Sequence, residues 1–161
     1  MGNTTIPGTS NELLAAVDDG WRRFREAVRH VGRAKMDAPT GGGWTYHDLI
    51  AHVAGWHDLT ARRLRVLRTT GALPGPGDEA AVGVPAFASA DELNARLTSS
   101  HRLVGAEALL DELDTTFASL RAELALVGDD TLHADDGRAI GMVAGNTYGH
   151  YEEHAKELGL E

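Results

Sequence analysis

The chain contains 161 residues, 42% of them hydrophobic, and it has a formal net charge of -9 and no cysteine. This length and apolar content predict a single domain over residues 1–161 with a hydrophobic core of its own. Without cysteine there can be no disulfide, thiolate metal site or cysteine nucleophile, so any metal ligand must be His, Asp or Glu. The acidic charge predicts that nucleic acid is not a partner. The lack of a long apolar run predicts no membrane partner and a cytoplasmic location.

Two amphipathic helices are predicted in the first half of the chain. Thr9 begins a capping pattern with a Glu three residues later, and apolar residues at helical spacing predict a first helix from Ser10 to about Gly32. Three glycines at 41–43 break the chain, and Thr45 begins a second capping pattern with an Asp three residues later. The second helix is therefore predicted over Tyr46–Thr70.

The second half of the chain predicts two further helices after an irregular connection. Residues 71–90 contain three of the five prolines and four glycines, which is a long connection for a bundle. A long helical region is then predicted over Asp91–Val127, bent near Val104 and Gly105, and a last helix over Arg138–Leu158. Because no convincing strand pattern occurs, the predicted fold is an all-α four-helix bundle.

Three of the eight histidines fall on helix faces that should be apolar. His150 and His154 are four residues apart, so they lie on one side of the last helix, one turn from each other. His52 lies on the apolar face of the second helix, whereas His47 and His57 are rotated away from it. A lone buried histidine is usually a packing residue, but three on facing helices predict a shared metal ion that satisfies all their nitrogens.

The heights of these histidines along the bundle predict the order of its helices. His52 is about 9 Å from the start of the second helix, and His150 and His154 are about 9 Å from the end of the last one. These levels match only if the two helices are antiparallel. Residues 71–90 can stretch about 66 Å, which is enough to return the chain along the whole bundle. The predicted order is therefore up-down-down-up, with a long crossover between the second and third helices.

Three segments of the chain carry a resemblance to a known family. WTYHDLIAHVAGW at 44–56 resembles the entry into the second helix of DinB superfamily proteins, specifically of the ClbS/DfsB family. DELNARL at 91–97 resembles the start of that family's third helix, where an Asn at position 94 is usual. AIGMVAGNTYGHYEEHAKEL at 139–158 resembles its last helix. The matching positions there are Asn146, Thr147, His150, Tyr151 and His154.

The resemblance implies a range of functions. The superfamily includes metal-dependent thiol transferases, maleylpyruvate isomerases that use small thiols, DNA-damage-induced proteins, and toxin self-resistance proteins that open a cyclopropane. A DinB-like four-helix bundle is the implied fold, and fold alone does not choose among these functions.

Three neutral imidazoles leave a coordination position open, which is typical of a catalytic metal, with zinc or nickel suited to nitrogen ligands. The first hypothesis is a hydrolase or thiol transferase in which the metal activates water or a low-molecular-weight thiol to attack an electrophilic small molecule. Glu153 and His57 are the candidate bases. The candidate substrate-binding residues are Tyr46, Trp56, Asn94, Tyr148 and Tyr151.

The sequence is also compatible with two other functions. One is a self-resistance protein of the ClbS/DfsB type that binds or opens a reactive metabolite without a metal. The other is a metal-stapled interaction domain, for instance a homodimer, with no small-molecule role. A cavity of a few hundred Å³ beside the histidines would favour a small-molecule function over the interaction domain.

Overall fold

Six α-helices make up most of the part of the chain that the computed structural model describes, residues 7–159. The predicted domain limits, residues 1 and 161, lie outside this range. Two short 3-10 turns, Arg33–Lys35 and Glu79–Val82, connect the helices, and no strand is present within the described range. The fold is therefore all-α, as predicted. The helices are α1 (Ser10–Val31), α2 (Tyr46–Thr70), α3 (Ala90–Ser100), α4 (Ala106–Ala125), α5 (Asp129–Asn146) and α6 (Tyr148–Glu153).

The first two helices begin at the predicted capping residues. The Thr45 side chain accepts a hydrogen bond from the backbone N–H of Asp48, and the Asp48 carboxylate accepts one from the backbone N–H of Thr45. Thr9 accepts from the N–H of Glu12, but the Glu12 carboxylate turns to the N–H of Gly8. Because these contacts are local, the sequence predicted both helix starts correctly.

Ion pairs between α1 and α4 show that these two helices are antiparallel. Arg25 in α1 contacts Asp114 at 2.7 Å, and Asp18, one turn or more earlier in α1, contacts Arg121, later in α4, at 2.7 Å. Residues late in α1 therefore pair with residues early in α4, and residues early in α1 pair with residues late in α4.

The contacts of α2 complete the helix order. Arg68 near the end of α2 pairs with Glu123 near the end of α4, and His47 at the start of α2 contacts the carbonyl of Val104 just before α4. These two helices, which share the most extensive helix packing in the bundle, are therefore parallel. Asn146 at the end of α5 contacts Thr60 in α2, whereas residues beyond it contact earlier parts of α2. The up-down-down-up order is thus confirmed.

The crossover differs from its prediction in one respect. The helical region predicted over Asp91–Val127 was expected to bend near Val104 and Gly105, and the structure interrupts it there completely, because residues 101–105 divide it into α3 and α4. His101 is the C-terminal cap of α3. Its Nδ1 lies 2.7 Å from the Leu97 carbonyl, and its Nε2 lies 2.8 Å from a Glu112 carboxylate oxygen. The whole of 71–105 is consequently the crossover, and α3 packs against α2 as part of it rather than as a wall of the bundle.

The last predicted helix, Arg138–Leu158, is also interrupted. Its predicted start at Arg138 agrees with the structure, because residues 134–137 inside α5 are not helical. Thr147, however, has φ -123° and ψ -109°, which separates α5 from α6. Gly149 makes this sharp bend sterically feasible, because a Cβ at that position would lie only 2.9 Å from the Ala144 carbonyl oxygen. His154 follows the last residue of α6 at its C-terminal cap. Periodicity alone did not reveal the break at Thr147, because the apolar spacing continues across it.

Stacked aromatic rings form part of the hydrophobic core. Trp21 of α1 stacks on Phe117 of α4, with ring centroids 4.1 Å apart, and Phe24 stacks on Tyr151 at 4.5 Å. These rings join α1, α4 and α6 and leave the opposite face of α6 directed at α2. Among residues 7–159, no helix has both the length and the hydropathy needed to cross a membrane.

Candidate metal centre

The three predicted ligands converge on one point between α2 and α6. Nε2 of His150 lies 2.6 Å from Nε2 of His52 and 3.3 Å from Nε2 of His154. One nitrogen from each ring lies within 4.8 Å of the others. His52 and His150 are buried, and His154 is half-buried. The antiparallel α2 and the α5–α6 arm bring together residues that are about 100 positions apart in the sequence.

The tautomer of His52 is set by α3. Trp56 Nε1–H, which can only donate, lies 2.8 Å from Asn94 Oδ1, so this atom of Asn94 is an acceptor. The same oxygen lies 2.7 Å from Nδ1 of His52. His52 must therefore carry its proton on Nδ1, which leaves a lone pair on Nε2 directed at the other histidines.

His154 is oriented in the same way by a carboxylate. Its Nδ1 lies 3.0 Å from a Glu157 oxygen, and since a carboxylate only accepts, the His154 proton is on Nδ1. Its Nε2 lone pair then also faces His150. A carboxylate on the outer nitrogen of a ligating histidine is a common feature of metal sites.

His150 has no such partner. Its Nδ1 is buried and makes no hydrogen bond within the described residues. Burial and the nearby His52 and His154 lower the pKa of His150 to about 3, and burial followed by His154 lowers the pKa of His52 to about 4. At neutral pH both rings are therefore uncharged, which is the form that binds a metal.

This arrangement fits a divalent cation better than a hydrogen-bonded histidine cluster. A neutral His150 can place at most one proton on Nε2, but lone pairs of His52 and His154 both face that nitrogen. At least one of these lone pairs thus has no donor among the described residues, whereas one ion would accept all three. Ligands about 2 Å from an ion are about 3 Å apart or more, so the His52 and His150 rings would separate slightly on binding.

A cavity of about 360 Å³ lies beside the three nitrogens. Trp44 covers one side, with its ring centroid 4.8 Å from that of His52 and 6.2 Å from that of His154. The predicted residues Trp56, Asn94 and Glu153 also line the cavity, so Glu153 remains a candidate base. The lining is completed by Ala90, Gly145 and Asn146.

Four of the predicted residues lie elsewhere. His57 is fully buried, and its Nε2 forms a hydrogen bond at 2.7 Å with the hydroxyl of Tyr151, which is itself only 3% exposed. Neither residue lines the cavity beside the three histidines, so the structure places both in the core and does not bring them to the predicted site. Tyr148 lines a different cavity of about 260 Å³ between α1 and α6, and Tyr46 packs against the core cluster that includes Phe24.

The sequence reasoning missed three residues of the site. Glu157 follows His154 by three residues, and a carboxylate one turn from a predicted ligand is a usable signal. Trp44 stands just before the cap of α2, where no helical periodicity applies. Asn146, at the end of α5, donates a hydrogen bond to Thr60 Oγ1 at 2.9 Å. Its place in the cavity wall follows from the break in the helix at Thr147.

Comparisons with known proteins agree with this architecture. A family model of the DinB superfamily matches residues 16–157. The fold is similar to that in the crystal structure of the colibactin self-resistance protein ClbS in complex with a dsDNA, with a TM-score of 0.77 and 16% identity over 96% of each chain. At this identity the likeness shows the fold alone. No curated protein matches the sequence.

The predicted exclusion of nucleic acid is contradicted by this structural neighbour, because the same fold occurs in a protein crystallised with double-stranded DNA. The prediction used the net charge of -9, which is a sum over the whole chain. Phosphates contact a local surface, so a whole-chain sum does not decide whether one face can bind them.

Proposed function

The chain belongs to the DinB superfamily, and from this membership and the three converging histidines we propose that it binds a divalent metal on His52, His150 and His154 and acts on an electrophilic small molecule. The observation that carries the proposal is the pair of lone pairs, on His52 and His154, that face a single nitrogen of His150. Zinc and nickel both suit three imidazoles.

The chemistry follows from the open side of the cluster. A bound divalent ion supplies positive charge that lowers the pKa of a water or small thiol and so makes a nucleophile at neutral pH. The side chains of the cavity bind the substrate and transfer the proton. Trp44 and Trp56 hold the electrophile and exclude water, and the exposed carboxylate of Glu153 accepts the proton of the nucleophile and returns it to the leaving group. The activity is then of the hydrolase or thiol-transferase type.

Metal content and thermal stability test the ligand set. Wild type, a His150→Ala/His154→Ala variant and a control His30→Ala/His133→Ala variant, whose histidines are exposed, are purified and compared. We expect about one equivalent of metal in wild type and control, a higher Tm on adding Zn²⁺ or Ni²⁺, and neither effect in the ligand variant. Equal, negligible metal in all three proteins would overturn the proposal.

A second candidate is a self-resistance protein that binds or opens a reactive metabolite without a metal. The fold neighbour ClbS favours it, and that protein was crystallised with a dsDNA. Turnover of a model electrophile with and without metal separates the two candidates. Fluorescence anisotropy with a labelled DNA duplex at about 50 and 200 mM salt tests duplex binding directly, since phosphate contacts weaken steeply with salt.

A further inference from the structure

The side chains that line the cavity carry negative charge and no positive charge. Besides the three histidines, the ionisable group in its wall is the exposed carboxylate of Glu153. No Lys or Arg lines the cavity within the described residues. Arg96 of the neighbouring α3 is occupied elsewhere, because its guanidinium donates to the carbonyls of Pro85 and Ala86 at 2.9 and 2.8 Å. An anionic group in the outer part of the cavity would therefore have no cation to pair with.

The neutral carboxamide of Asn146 also lines the cavity. Thr60 Oγ1 donates to the Trp56 carbonyl, so it accepts from Asn146 Nδ2. The carboxamide oxygen of Asn146 then remains as an acceptor, and the second N–H of its Nδ2 remains as a donor. Asn146 can therefore accept from the bound molecule or donate to it, and the preference for a cation or a hydrogen-bond donor rests on the Glu153 carboxylate. Asn94 offers only a neutral Nδ2, since its oxygen is occupied by His52 and Trp56.

The apolar walls select for shape. Trp44 and Trp56 are both half-exposed at the cavity, and the indole N–H of Trp56 is fixed by Asn94. Fixed indole rings pack well on flat rings and attract cations through their π-systems. A volume of about 360 Å³ is at the lower end of the range of small-molecule sites, roughly 300–1,000 Å³.

We propose that the substrate is a planar aromatic or heteroaromatic electrophile whose body, away from the histidines, is uncharged or cationic. This inference rests on the proposed function and specifies its substrate class. Glu153 acts as the residue that discriminates against anions, because its carboxylate lies in the wall that the substrate body contacts. It follows that a thiol carrying several carboxylates is a poor cosubstrate and that an uncharged one is preferred.

Three imidazole probes with the same ring system test the charge preference by binding alone. They are 4-phenylimidazole, its para-carboxylate and its para-aminomethyl derivative, which share one metal-binding ring and differ in charge at the far end. Isothermal titration of the metal-loaded protein should give similar or tighter binding for the cationic probe and about tenfold weaker binding for the anionic one. Glu153→Gln should reduce the spread, that is the ratio of the affinities for the cationic and anionic probes, several-fold.

The neighbouring Glu152 provides a matched control, because it is also exposed but lines the other cavity beside Gly20. Glu152→Gln should leave the spread unchanged. Equal affinity of all three probes in wild type, or a spread that Glu153→Gln does not alter, would overturn the inference. Failure of the proposed function has a different signature, since unsubstituted imidazole would then show no metal-dependent binding. In that case 2-naphthylmethanol, 2-naphthoate and 2-naphthylmethylammonium, which need no metal, should still bind in the same charge order.

Discussion

The carboxamide oxygen of Asn94 lies 2.7 Å from Nδ1 of His52, and this contact joins the crossover to the candidate metal centre. The same oxygen accepts from Trp56 at 2.8 Å, so its identity as an acceptor is fixed. Asn94 therefore acts on the metal site through the tautomer of His52, in addition to its place in the cavity wall.

Replacing Asn94 should weaken metal binding without removing a ligand. Asn94→Leu leaves His52 free to place its proton on either nitrogen, so we expect about 10- to 100-fold weaker affinity for Zn²⁺, measured by competition with a chromophoric chelator. Asn146→Ala is the control, because this second amide of the cavity bonds Thr60 rather than a histidine. Equal losses in the two variants would contradict the assigned role of Asn94.

The carboxylate behind His154 should also matter for affinity. Glu157→Gln keeps the size of the side chain but removes the charge that makes His154 a better donor to a metal, so we expect about tenfold weaker binding. Glu153→Gln removes a carboxylate from the cavity wall that is not paired with a ligand histidine, and metal affinity should change by less than about threefold. Competition titrations at one pH compare the two variants, and a larger effect from Glu153→Gln would refute this prediction.

The metal-free protein should lose stability as the pH falls below about 6.5. Burial lowers the pKa of His57 from 6.5 to about 3, so between these values the unfolded chain binds a proton that the folded chain does not. The free energy of unfolding therefore decreases on acidification, by up to about 1.4 kcal/mol per pH unit for one such group, and the contribution is fully retained above about pH 6.5.

Urea unfolding at pH 7.0 and 5.5 measures this slope. His57→Leu should be less stable at pH 7.0, because it leaves the Tyr151 hydroxyl without its partner, but its stability should depend less on pH. His133→Gln changes an exposed histidine and should keep the wild-type slope. If His57→Leu and wild type lose stability equally on acidification, His57 is not one of the groups responsible.

The close packing of α3 on α2 depends on Gly55. A Cβ at this position would lie 2.3 Å from a methyl carbon of Leu97, so Gly55→Ala must displace Leu97 and with it α3. We expect a loss of about 1–3 kcal/mol in the free energy of unfolding. Weaker metal binding should accompany it, since Asn94 lies one turn before Leu97.

A double mutant checks the cause. Adding Leu97→Ala to Gly55→Ala should recover part of the loss caused by Gly55→Ala alone, and the coupling is obtained from urea unfolding of the four proteins. Gly141→Ala is a control within a helix, because a Cβ there meets nothing within 4 Å. It should be neutral or stabilise by about 0.5–1 kcal/mol. Additive effects of Gly55→Ala and Leu97→Ala would exclude the steric explanation.

The sequence by itself determined the local parts of this protein. Thr9 and Thr45 mark helix starts because a cap is a contact over three residues, and helical spacing identified His52, His150 and His154 as residues of facing interior surfaces. The helix order also followed from the sequence, because three ligands at matched heights and a long connection leave one simple arrangement.

The tertiary structure decided which side chains support the site. Asn94 and His52 are 42 residues apart, and their contact depends on how α3 packs against α2. The break at Thr147 is equally invisible to periodicity, since the apolar spacing continues through it. His57 and Tyr151 were assigned to chemistry from residue type, yet they are hydrogen-bonded to each other in the core. Such long-range hydrogen bonds form only when packing has placed both partners, so no local pattern of residues can encode them.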